Sequence, residues 1–227
     1  MYQPMLFVHW KQVRLLLIPF VVAAFGLPLL AVQGLGADAT GGVSAEVYQI
    51  VAGYQLWLPL FPMLALAIGI VLALTAWNWD HRLGHVYALS LPVARWEYAL
   101  LKMGAGIALG LVPTLAFWIG AHVAAASVTL PAGLNAYPNH LALRFFLAML
   151  MAYAFFFALG AGTVKTTVWV VTGIFAALVA SEVLGDVLVL YFSGLEGLSF
   201  LELATDWLVE RGGPFEVFTG NWTLIDV

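Results

Sequence analysis

Asp80–Lys102 reads DHRLGHVYALSLPVARWEYALLK. It holds Asp80, His81, Arg82, His85, Arg95, Glu97 and Lys102, the densest charge in the first half of the chain. Apolar runs flank it, Leu56–Trp77 before and Met103–Ala126 after. Each exceeds the roughly 18 apolar residues that mark a candidate membrane-spanning helix. The stretch therefore reads as a polar hairpin between two spans, on one face of a bilayer. Pro92 disfavours helical backbone at Leu91. The hairpin thus divides into a helix from Asp80 to Ser90, a corner at Leu91-Pro92, and a second helix that runs into the next span.

Composition agrees. Of 227 residues 63% are hydrophobic and 9% charged, against about 25% charged in soluble domains. Mean hydropathy is +1.00. Runs of this length, without the ~10-residue alternation of barrel strands, imply an all-α integral membrane protein. The net charge of -4 argues against nucleic acid as a partner, and the absence of cysteine excludes disulfides and thiolate metal sites.

Working outward from the hairpin, five spans emerge. Residues 1–14 mix Phe7, Val8 and Trp10 with His9, Lys11 and Arg14, as an interfacial helix would. The membrane domain follows over 15–191, with spans at Leu15–Val32, Leu56–Trp77, Met103–Ala126, about Phe145–Val164, and Val168–Tyr191. The 18-residue first run is longer than a signal-peptide core and is read as an uncleaved span. Pro113 marks an expected kink in the third span. With the N-terminus in the cytoplasm, the inner segments hold Lys11, Arg14, Arg82, Arg95, Lys102 and Lys165, while the outer ones hold Arg144 and Arg211. That bias satisfies the positive-inside rule and puts the hairpin in the cytoplasm.

Few residues suggest chemistry. Gly160-Ala-Gly-Thr-Val-Lys165-Thr166 superficially resembles a phosphate-binding loop, but Val164 stands where that motif needs glycine. It reads as a turn, so the chain has no nucleotide site and no catalytic residues. His81 and His85 share a helix face but lack a third ligand, so no metal is expected. His122 falls near the outer end of its span. Glu182 and Asp186 also share a face, near the outer end of the fifth span, as candidates for an outer vestibule; plain interfacial solvation is the simpler role. Gly106-x3-Gly110 permits close helix packing and is a weak signal for a dimer contact. Trp57, Trp77, Trp79, Trp96, Trp118 and Tyr191 fall at span ends, as in an aromatic belt.

Asp80-x3-Gly84, then Leu89-Ser-Leu91-Pro92-Val-Ala-Arg95, then Lys102, resembles the first cytoplasmic loop of ATP-binding-cassette (ABC) permeases of the type-2 exporter class. Ala94 departs from that family's usual serine. The resemblance implies a coupling helix at 80–92 that rests on a separate cytoplasmic ATPase, with Asp80, Gly84, Leu89, Leu91, Pro92, Arg95 and Lys102 as coupling residues. Arg95 and Lys102 would anchor the inner interface. It further implies a second permease copy or paralogue, as homodimer or heterodimer, in a bacterial or archaeal inner membrane. ATP and Mg would bind the partner and no cofactor this chain. A stand-alone channel or secondary transporter would need ionisable groups near the midplane, and an intramembrane enzyme a catalytic pair there. The spans supply neither.

The tail departs from that family, whose members have six spans. Residues 192–227 carry Glu196, Glu202, Asp206, Glu210, Glu216 and Asp226 and no run long enough to span. They read as an extracytoplasmic segment with an amphipathic helix at about Leu195–Glu210. The simplest expectation is a natural chain that continues past Val227 into a sixth span; the alternative is a five-span protein with an external C-terminus, which would weaken the resemblance.

Overall fold

The computed structural model describes residues 2–33, 59–82, 94–128 and 135–162, separate positions between 165 and 180, and residues 215–220 and 222–226. Four long helices dominate: α1 (Tyr2–Gln33), α2 (Leu60–Arg82), α3 (Arg95–Ala126) and α4 (Pro138–Gly160). All four are long and apolar enough to cross a membrane. The chain divides into two compact units, Met1–Ala158 with Asn221–Val227, and Leu159–Gly220. Within the second unit a short helix, α5 (Glu216–Thr219), is described.

Proline placement sets several boundaries. Pro59 and Pro62 sit before and within the first turn of α2, and Pro138 opens α4. No intrahelical acceptor is needed by a first-turn N–H, so proline does no harm there. α1 continues through Pro19 and Pro28, and α3 through Pro113. The helix anticipated as interfacial over 1–14 is continuous with the first span, without a break at Leu15. The fifth span (168–191) and the tail helix (195–210) lie wholly or largely outside the described residues.

Ring contacts fix the helix directions. Phe117 of α3 stacks on Phe145 of α4 at 4.1 Å and takes the edge of Phe61 of α2 at 5.6 Å. Nearer the hairpin, Trp77 meets Phe157 at 5.0 Å. α2 and α4 therefore both run antiparallel to α3. α1 runs parallel to α3: its His9 meets Thr75 near the hairpin end, and its Phe25 backbone meets Gly120 near the other. The result is an up-down-up-down bundle. Its outer surface stays apolar, with Leu15 73%, Leu74 63%, Leu115 55% and Leu143 57% exposed. Such faces suit a lipid solvent, in which a helix satisfies its backbone polar groups internally except for the carbonyls that would have bonded to the missing N–H of Pro19, Pro28 and Pro113.

At the end away from the hairpin, β1 (Asn135–Ala136) pairs antiparallel with β2 (Ile225–Asp226). The Tyr137 N–H donates to the Leu224 carbonyl at 2.8 Å. A ribbon this short is marginal alone; buried Trp222, Leu224 and Ile225 hold it, and Arg144 lies 5.8 Å from the Trp222 ring. Ala136 opposes Ile225. Antiparallel partners have Cα atoms about 4.5–5.5 Å apart, within disulfide range. Ala136→Cys with Ile225→Cys, in a chain free of other cysteines, should therefore cross-link on mild oxidation. Absence of the cross-link on a non-reducing gel would refute the pairing.

Candidate coupling site at the base of the hairpin

Asp80 sits in the last turn of α2, where sequence alone placed it at the start of a separate cytoplasmic helix. Instead it points into the bundle and is 2% exposed. Lys102, two turns into α3, forms an ion pair with Asp80 Oδ2. Tyr98, one turn earlier on α3, donates its hydroxyl to the same carboxylate at 3.1 and 3.2 Å. Spacing explains the meeting. Asp80 and Lys102 lie at similar distances on either side of Pro92, so antiparallel helices bring them to one height. Tyr98 and Lys102 are four apart and share a face.

The ammonium is enclosed by aromatic rings as well. Lys102 Nζ lies 4.5 Å from the Trp77 ring centroid and 5.0 Å from that of Tyr98. Trp77 is 5% exposed and donates its indole N–H to the Phe157 carbonyl at 3.0 Å. It is a core residue joining α2 to α4, which corrects its assignment to the aromatic belt. The Tyr153 hydroxyl of α4 faces the Lys102 and Met103 carbonyls at 3.4 and 3.3 Å. It reaches them because Gly106 has no side chain: a Cβ there would stand 2.1 Å from Tyr153 Oη. Gly110 is likewise filled by Met149. The Gly106-x3-Gly110 seam thus packs within one chain and gives no support to a dimer contact.

The remaining expected residues divide clearly. Arg95 opens α3 and is exposed. It shares a face with Lys102 but lies two turns nearer the hairpin, past the packed part of the bundle. Lys102 is therefore drawn inward, where an interface anchor was expected. Ala94 caps α3 in extended backbone without a side-chain hydrogen bond; a serine there would supply one. Gly84, Leu89, Leu91 and Pro92, and the vestibule candidates Glu182 and Asp186, lie outside the described residues. Among the described residues no cluster has the makings of a metal site. His122 joins α3 to α4, its Nε2 3.0 Å from Asn139 Oδ1, which also accepts from Trp118 at 2.8 Å.

A buried charge pair, two aromatic walls and a tyrosine lock the two legs of a polar hairpin to each other. No protein-family model, curated protein or solved structure matches the chain.

Proposed function

We propose that this chain is the membrane subunit of an exporter driven by a separate ABC-type ATPase, with the 80–102 hairpin as the coupling element. The observation that carries the reading is the buried Asp80–Tyr98–Lys102 clamp at the hairpin's base. A coupling element has to transmit force to its helices, and a rigid base does so with little loss. The hairpin also carries Leu83, Val86, Tyr87 and Leu89 in sequence, apolar residues that a partner groove would cover. In this reading two such chains, alike or different, work with two ATPases in a bacterial or archaeal inner membrane. ATP and Mg belong to the partner, and the N-terminus is cytoplasmic.

A channel or secondary transporter is less well supported, because the clamp lies at one end of the bundle and not at the midplane. The test uses the chain in lipid nanodiscs with a candidate ABC ATPase from the same genome, sought first among neighbouring reading frames that carry Walker A and B motifs. The chain should retain the ATPase on affinity resin and change its rate of ATP hydrolysis. Leu89→Asp with Leu91→Asp should abolish both effects while leaving the protein inserted. Retention and hydrolysis equal to the parent's in that variant would overturn the coupling role.

A further inference from the structure

α1 presents one long stripe to the outside of the bundle. Its inner face carries His9, Val13, Leu17, Ala24 and Ala31, all buried. On the opposite face Phe7, Lys11, Arg14, Ile18, Val22 and Phe25 are exposed at helical spacing. Ile18, Val22 and Phe25 face lipid in a spanning helix, so Lys11 and Arg14 stand in line with lipid-facing residues. The apolar span assigned to α1, Leu6–Val32, includes both cations.

Their depth follows from the packing. Sequence put them outside the first span, in an interfacial segment ending at residue 14, but α1 is continuous there. His9 is level with Thr75 of α2. Thr75 is about 7.5 Å further from the hairpin than Asp80, and Arg14 about 7.5 Å further again than His9, at 1.5 Å per residue. α2 has 23 residues, about 34 Å, little more than the ~30 Å hydrocarbon core. Its hairpin end therefore marks the membrane boundary closely. Arg14 lies roughly 10–15 Å inside that boundary, with Lys11 one turn nearer to it. Charged side chains at such depth ordinarily face the bundle interior or a water-filled cavity. These two face outward, and α1 contains no acidic residue to pair with them.

We propose that Lys11 and Arg14 form a seat for the phosphate of an anionic phospholipid, drawn inward along the α1 face from the leaflet on the hairpin side. Helical side chains lean toward the N-terminus, here the hairpin side, and long basic side chains lie along apolar surface to bring their charge toward the headgroups. The planar fork of Arg14 matches two phosphate oxygens, while Lys11 supplies a point charge. Trp10, 40% exposed and one turn before Arg14, flanks the seat as an interfacial aromatic does. Two cations without an acid beside them favour a lipid of net negative charge over a zwitterionic one. The seat uses no residue of the clamp and stands or falls separately from any ATPase partner.

Native mass spectrometry of the full chain tests it, with the protein released from micelles holding equal amounts of phosphatidylglycerol and phosphatidylcholine. The parent should retain phosphatidylglycerol in preference to phosphatidylcholine. Each cation near an anionic membrane surface is worth about 1 kcal/mol, so Lys11→Gln with Arg14→Gln should weaken that retention roughly 30-fold. Arg14→Lys, which keeps the charge and loses the fork, should fall between the two. Equal retention of both lipids by the parent overturns the proposal and requires no variant to fold. A double variant that holds phosphatidylglycerol within about twofold of the parent overturns it as well. If the stripe instead joins two copies of the chain, the double variant loses a parent dimer with lipid retention unchanged, and the lipid seat is rejected.

Discussion

Lys102→Met should destabilise the bundle by about 3–5 kcal/mol, the cost of leaving one member of a buried ion pair without its partner. Asp80 is 3% and Lys102 13% exposed in their side chains, so solvent screens the pair little. Without Lys102 the carboxylate keeps, among the described residues, the Tyr98 hydroxyl. One neutral donor does not balance a buried negative charge. Asp80→Asn with Lys102→Met removes both charges and should recover most of the loss, because a buried pair replaced by neutral groups of similar volume is often no less stable. The asymmetry is the informative part. Chemical denaturation of the single and double variants in one detergent would measure it. A Lys102→Met protein within about 0.5 kcal/mol of the parent, the range of ordinary surface substitutions, would show that the pair does not carry the clamp. A double variant weaker than the single would show the same.

How far the sequence foretold this is uneven. Apolar runs located all four described spanning helices, because hydropathy over ~20 residues is set by the bilayer and hardly by tertiary packing. Boundaries were less visible. The continuous α1 hides the transition at residue 14, since a helix satisfies its backbone equally on the surface and within lipid. Asp80 and Lys102 were legible as important residues, but not as partners: the motif assigned one to docking and the other to the interface. Similar spacing about Pro92 was the available clue. Tyr98 and Trp77 were missed for a different reason. Aromatic residues near span ends have two good positions, in the headgroup belt or across a core, and local sequence does not choose between them. The Trp77 indole chose the Phe157 carbonyl. His9 looked like part of a basic amphipathic start, and its burial and its contact with Thr75 show it turned inward.

Gly120→Ala should destabilise the bundle by about 1–3 kcal/mol, or more, as overpacking of a closed interface does. No second-site change at Phe25 should rescue it. A Cβ at Gly120 would stand 2.3 Å from the Phe25 carbonyl oxygen and 3.0 Å from its carbonyl carbon. Those are backbone atoms of α1, so the helix itself must move. Gly106→Ala meets a different obstacle: Tyr153 Oη at 2.1 Å and Cζ at 2.4 Å, the far end of a side chain. The intrinsic gain from replacing a helical glycine by alanine, roughly 1 kcal/mol, opposes both losses. At Gly106, shortening Tyr153 to leucine removes the colliding atoms and lets that gain appear. A double-mutant cycle of Gly106→Ala with Tyr153→Leu should therefore show favourable coupling of about 0.5–3 kcal/mol, whereas Gly120→Ala with Phe25→Leu should show coupling near zero. The same pattern sets the geometry of the clamp. Close approach of α4 at Gly106 puts the Tyr153 hydroxyl beside the Lys102 carbonyl, and close approach of α1 at Gly120 fixes the helix that carries His9. Measurable rescue of Gly120→Ala by Phe25→Leu, or absence of coupling at Gly106, would contradict this account of how the helices are spaced.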